Sequence, residues 1–249
     1  MLNFLHILVI GVPTTPLAPR LIRDADGNAW RALSQVSDGV AGSVLVALPV
    51  FLQAPWVRLS PVTAALFTAV LVAAGVALER QRAPRLRDAG SLLVGFAGSW
   101  LGGCLFWGWC RLHPIGHLPI EAFALPLALA GLGSRWRLGC ALYLGSLVGT
   151  AATDAAIAAT GLMPLWPQVL AADPLAAGPL LQEAAQRVLE PGPLLVVIGA
   201  AALLLQICRW LWPRGRAARV ASAALATTLA IDGLFLAAAL AAPRLSGLI

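Results

Sequence analysis

The chain has no lysine, a single tyrosine and two methionines, and charged residues make up only 11% of its 249 positions. Soluble domains carry roughly 25% charged residues; a shortage this deep leaves too little polar surface to keep a folded chain of this length in water. The four cysteines, Cys104, Cys110, Cys140 and Cys208, form no CxxC pair, so they read as small apolar filler rather than as a redox or zinc motif. No P-loop, GxSxG or HExxH string occurs, which removes three large enzyme classes. Long polar linkers and internal repeats are missing as well.

What is present is apolar. Hydrophobic residues account for 59% of the chain and the mean hydropathy is +0.84. A hydrocarbon core about 30 Å thick needs roughly 20 helical residues, and seven stretches of about that length run over 39–57, 61–78, 90–110, 117–133, 138–160, 192–212 and 218–241. They are rich in Ala, Leu and Gly and lack the alternation of a membrane barrel. Helix is then the one backbone that satisfies its own amides in lipid. The expected fold is all-α, a polytopic transmembrane bundle of about seven spans, with one domain over 39–249 and an N-terminal segment over 1–38. Spans one and two are separated by Arg58, Leu59 and Ser60 alone, which requires a tight helical hairpin.

All 17 basic residues are arginine, and they are distributed unevenly. Thirteen (Arg20, Arg23, Arg31, Arg80, Arg82, Arg85, Arg87, Arg135, Arg137, Arg209, Arg214, Arg216 and Arg219) fall on one side of the expected topology. Arg58, Arg111, Arg187 and Arg244 fall on the other. The positive-inside rule then predicts a cytoplasmic N-terminus and a C-terminus outside. The net charge of +6 reports this topology and an affinity for anionic headgroups, not nucleic-acid binding. Trp136, Trp210 and Trp212 at one border, with Trp56, Trp107 and Trp109 at the other, suit interfacial belts; Trp100 lies too deep for one. Leu2 to Val12 is too short to span, and Arg20 to Asp38 reads as a cytoplasmic loop or an interfacial helix. The outer loop at 161–190 holds an amphipathic candidate helix, with Leu180, Leu181, Ala184, Ala185 and Val188 on one face. It reads as an interfacial helix or as a lid over the bundle.

Polar groups inside the spans cluster toward the outer side. Gln53 and Arg58 end the first span and Arg111 ends the third. His113 and His117 follow, Glu121 lies one turn into the fourth, Asp154 sits in the outer third of the fifth, and Asp232 is near the middle of the seventh. A charge at a span centre costs on the order of 3 kcal/mol on insertion scales, so these groups should face a protein interior, water or one another. The expectation is a polar pocket in the outer leaflet, with Gln53, Arg58, Arg111, His117, Glu121, Asp154 and Asp232 as ligand-binding candidates. Ion pairing of the two aspartates with Arg58 or Arg111 is the purely structural alternative. His117 and Glu121, four apart, share a helical face, although Pro114, Gly116 and Pro119 argue against regular helix through His117. His113 and His117 are weak metal or haem candidates, and no cofactor is specified. Pro49 and Pro126 should kink their spans. Gly95, Gly98, Gly102 and Gly103, and the pair Gly145 and Gly149, should let helices approach closely.

Three strings are distinctive: Leu48-Pro-Val-Phe-Leu-Gln53-Ala-Pro55-Trp56-Val-Arg58-Leu59; Phe106-Trp-Gly-Trp109 with His117-Leu-Pro119-Ile-Glu121-Ala122; and Tyr143-Leu-Gly145-Ser146 with Gly149-Thr150 and Thr153-Asp154. Over about 45 to 236 the chain resembles a cyanobacterial family of multi-pass membrane proteins catalogued as a domain of unknown function. The resemblance implies a cyanobacterial plasma or thylakoid membrane and brings no reaction, cofactor or substrate. Three functions stay open. The first is binding or transport of a small polar solute, with Glu121, Asp154 and Asp232 linked to protons or cations and Arg58 or Arg111 meeting an anionic group. The second is an accessory protein of a photosynthetic membrane, binding pigment, quinone or a membrane-protein partner. The third, with no nucleophile motif behind it, is an intramembrane enzyme using His117 and Glu121 as an acid–base pair.

Overall fold

Seven helices in the computed structural model are long and apolar enough to cross a membrane, and the model describes residues 37–242. They are α1 (Ser37–Leu59), α2 (Pro61–Glu79), α3 (Pro84–Cys110), α4 (Pro114–Gly131), α5 (Arg137–Ala159), α8 (Pro191–Arg214) and α9 (Arg216–Ala241). Two further helices, α6 (Leu165–Ala171) and α7 (Pro174–Val188), fill the connection between α5 and α8. The described residues contain no strand. The chain is therefore an all-helical, multi-pass membrane protein. The segments 2–12 and 20–36, and Arg244, lie outside the described residues. Asp38, expected in a polar loop, instead belongs to the first turn of α1.

Five of the helices begin where their sequence makes starting inexpensive. Pro61, Pro84, Pro114, Pro174 and Pro191 all occupy the first helical position, where the missing N–H would have no partner anyway. Ser60 alone interrupts the helix between α1 and α2, at φ −156° and ψ 82°. Gly215, at φ 104°, makes the turn from α8 into α9, a conformation that a side chain would strain.

Glycine sets the helix spacing. A Cβ on Gly95 would collide with the backbone of Gly139, and one on Gly139 with the Ser91 carbonyl, so α3 and α5 touch backbone to backbone. Gly75 and Gly90 do the same for α2 and α3, and Gly145 against Ala221 for α5 and α9. Such small-residue contacts replace the hydrophobic driving force that lipid removes. Helix α3 is consequently central, with 56% of its most apolar window buried against 6% for α8. Trp100, too deep for an interfacial belt, is part of this core: its indole donates to the Ala64 carbonyl at 2.8 Å and its ring meets Trp56, Phe67 and Phe96 edge-on or tilted. Leu59, Leu66, Leu127 and Leu195 point outward, toward the bilayer that these helices suit.

The connections α2–α3, α4–α5 and α8–α9 share one end of the bundle and, with the helix ends that flank them, hold ten of the arginines. Arg58, Arg111 and Arg187 lie at the opposite, arginine-poor end. At the arginine-rich end, buried Asp38 faces Arg216 at 3.1 Å and Arg219 at 3.2 Å. Arg216 also reaches Asp88 at 2.8 Å, and Arg135 lies 3.4 Å from the buried Glu79.

Candidate functional site

Two of the spans lose regular α-geometry as they near the arginine-poor end, and a third starts there irregularly. In α1, Pro49–Gln53 is π-helical, and in α3 so is Phe106–Cys110. Proline removes one backbone donor and crowds the preceding turn, and a π-bulge is a common way to absorb that misfit in α1. Helix α4 is discontinuous: a 3-10 turn over Pro114–Gly116, an α-turn over His117–Glu121, a second 3-10 turn over Ala122–Ala124, then α-helix from Leu125. Pro119 and Pro126 lie on the two sides of that break. Tyr143, the one tyrosine of the chain, closes it by donating to the Glu121 carbonyl while accepting from the Ala124 amide at 3.2 Å. Broken backbone at membrane depth survives only when such groups are answered by protein.

The short α-turn presents His117 and Glu121 together. His117 Nε2 lies 3.3 Å from Glu121 Oε1, and its Nδ1 lies 3.0 Å from Asp154 Oδ1 of α5. The three side chains are 10%, 18% and 13% exposed. Each contact needs a hydrogen between its heavy atoms, and a neutral imidazole has one N–H. A single neutral ring therefore cannot donate to both carboxylates at once. Thr150 extends the network by donating to Glu121 Oε2 at 3.0 Å. Thr153, next to Asp154, reaches Asp232 Oδ2 of α9 at 2.6 Å and the Gly149 carbonyl at 3.1 Å, and the Asp154 and Asp232 charges act on each other. Three spans therefore bring two hydrogen-bonded groups close together, Thr150–Glu121–His117–Asp154 and Thr153–Asp232.

Aromatic rings close it off. Phe106 stacks against His117 at 4.2 Å between centroids, with Trp107 at 5.9 Å and Trp166 at 5.6 Å. Trp166 comes from α6, stacks on Trp107 at 5.7 Å and donates to the Arg111 carbonyl at 2.8 Å. The amphipathic helix expected near 176–189 exists as α7, capped by the Asp173 carboxylate, which accepts from the Leu175 and Ala176 amides. It buries Ala185 and Val188. The side chain over His117, however, belongs to α6. An amphipathic pattern marked the loop's helix but not the tryptophan that covers the cluster.

The seven candidate residues divide into three groups. His117, Glu121 and Asp154 meet as described, and Asp232 joins them only through Thr153, the neighbour of Asp154. Arg58 and Arg111 instead line a separate cleft of ≈ 220 Å³ with His113, Trp107 and Trp109. Trp107 is common to both places, since it lines the cleft and packs on His117. The residues anticipated in a single pocket thus fall partly in a cleft and partly in a packed cluster, with Trp107 touching both. Gln53 belongs to neither. The π-turn directs it into α3, where its amide donates to the Trp100 carbonyl and to Cys104 Sγ, the latter at 2.9 Å. Gly103 leaves room for it: a Cβ there would stand 3.0 Å from the Gln53 amide. Gln53 is a tie between helices.

For a metal, both His117 nitrogens already face carboxylate oxygens, whereas His113 lies in the cleft. Among the described residues no three His, Cys, Asp or Glu side chains are arranged to hold an ion. Sequence reasoning missed Thr150, Thr153, Tyr143 and Trp166. Thr150 lies one turn before Asp154 on the same helical face, a signal that was available.

A family model described as Protein of unknown function (DUF3120) matches residues 42–240, from the second turn of α1 to the end of α9. The chain belongs to that family. The match takes in every residue of the cluster and the cleft. No curated protein and no solved structure matches the chain.

Proposed function

We propose that this member of the family binds and moves a small anionic solute across the bilayer, coupled to protons. The solute enters the cleft of Arg58, Arg111 and His113, and the chain of His117, Glu121, Asp154 and Asp232 exchanges protons with it across the Trp107–Trp166 wall. In this reading the arginine-poor end faces away from the cytoplasm, as the arginine asymmetry favours. The observation that carries the proposal is a histidine shared by two carboxylates inside a membrane bundle. Groups so costly to insert are kept where a pathway or a proton relay needs them. The neighbouring guanidiniums give an anion its counter-charge. Discontinuous helices lining such a place are a recurring device of transporters.

The test uses liposomes that hold the purified protein and a pH-sensitive dye, with an imposed gradient of succinate, glutamate or inorganic phosphate. The proposal expects at least one of these anions to drive a change in internal pH. Asp154→Asn and Arg111→Gln should each abolish that change. A pH response equal in wild type and in both variants overturns the proposal, and so does the lack of a response to all three anions.

A further inference from the structure

A second cavity, larger than the arginine cleft and lined by none of the acids, lies on the lipid-facing side of the bundle. A groove of ≈ 430 Å³ opens between α2, α3, α4 and α5. Its floor is made by small residues of α3, Gly95 and Gly98 among them, and its rim by Val72, Phe123 and Leu127, all three of which are exposed. Along α3 it extends from Ser91 to Leu101, ten residues or about 15 Å. That is half of the roughly 30 Å hydrocarbon thickness, the depth of one leaflet. The break in α4 helps to form it, because Phe123 and Ala124 of the 3-10 turn are on its wall.

Cations stand at one end of this groove. Trp136 lines it, with the Arg135 guanidinium 5.3 Å over its ring and Arg137 next in the chain. Arg87 lies one turn before Ser91 on the same face of α3 and is exposed. Arg135 faces Glu79, but the acid beside Arg87, Asp88, is occupied by Arg216 at 2.8 Å. Three arginines against one buried acid leave this end positive.

We infer that the groove holds one acyl chain of an anionic phospholipid from the leaflet at the arginine-rich end, its headgroup held by Arg87, Arg135 and Arg137. The apolar channel fits the tail by depth, and the guanidiniums fit a phosphodiester by charge. The groove contains none of the acids, and the inference does not rest on the solute-binding proposal.

Photo-crosslinking tests it. The purified full chain is mixed with vesicles of phosphatidylglycerol or of phosphatidylcholine carrying a diazirine near the end of one acyl chain, irradiated, and digested for mass spectrometry. Phosphatidylglycerol should label peptides containing Leu101 and Leu127 in preference to phosphatidylcholine. Val72→Trp, which fills the groove from its exposed rim, should remove those labels and keep the labels on exposed Leu195 of α8. Arg87→Gln and Arg137→Gln should each reduce the preference about fivefold without loss of folded protein. Equal labelling by both lipids overturns the inference, as does groove labelling that survives Val72→Trp. Absence of groove labels in wild type also overturns it.

Discussion

At the arginine-rich end, Asp38 is held by Arg216 and Arg219, and Glu79 by Arg135. At the arginine-poor end, Glu121 and Asp154 share one histidine, and Asp232 meets a threonine hydroxyl. Both ends bury carboxylates, but their partners differ in kind. A guanidinium is always charged and grips a carboxylate with a rigid fork, so the first arrangement is static and joins helix ends. An imidazole between two acids can gain, lose or pass on a proton, so the second can change state. The backbone follows the same division: α9 and α5 start regularly beside the arginine pairs, whereas α1, α3 and α4 are π-helical or broken toward the histidine.

The largest effect that would separate the two ends comes from Asp38→Ala. It leaves two guanidiniums without their shared acid, one of them in the buried Arg219 side chain, and removal of one partner from a buried pair costs about 3–5 kcal/mol. Detergent-resistance or thermal melts should show that loss, while the solute-driven pH change of the surviving folded protein stays at the wild-type rate. Asp154→Asn should do the reverse: about 1–2 kcal/mol of stability, the scale of a hydrogen bond to a charged group, with proton coupling abolished in the liposome assay. Should Asp154→Asn prove as destabilising as Asp38→Ala and leave coupling intact, the contrast between a static and an exchanging end is wrong.

A smaller effect is expected from Trp166→Ala. It removes the ring over His117 at a cost of about 1 kcal/mol for the lost aromatic contacts. His117, one of three histidines in the chain, should then be acylated faster by an imidazole-directed reagent, as read by mass spectrometry, with the rate at His113 unchanged. An unchanged rate at His117 would mean that α6 does not seal the cluster. The smallest effect belongs to Glu183→Gln on α7. Its pair with Arg187 at 2.6 Å is about half exposed on both sides, so a stability change below about 0.5 kcal/mol is expected, and a larger one would show that α7 is more than a covering helix.

The spans and the break in α4 were legible in the sequence because each depends on local chemistry: apolar length for the spans, Pro119 and Pro126 for the break. The contact between His117 and Glu121 was legible for the same reason, being four residues apart. The contact from His117 to Asp154 was not, since the rotation of α5 about its axis is set by Gly139 against Gly95 and by Gly145 against Ala221, which are pairings between distant segments. Gln53 misled for a related reason. Its surroundings of Leu, Ala and Pro do not state which way a side chain on a π-turn points, and only the space at Gly103 and the Trp100 carbonyl decide it. Asp38 was concealed by its position beside a polar stretch, although its partners Arg216 and Arg219 are a helical turn apart and make a natural clasp.

Side-chain nitrogen NMR of the histidines in lipid tests the central claim most directly, that one imidazole is shared between Glu121 and Asp154. With three histidines to resolve, His117 should show both ring nitrogens hydrogen-bonded, and its signals should move in Glu121→Gln and again in Asp154→Asn but stay fixed in Glu183→Gln. A His117 spectrum indifferent to either acid of the trio would contradict the account.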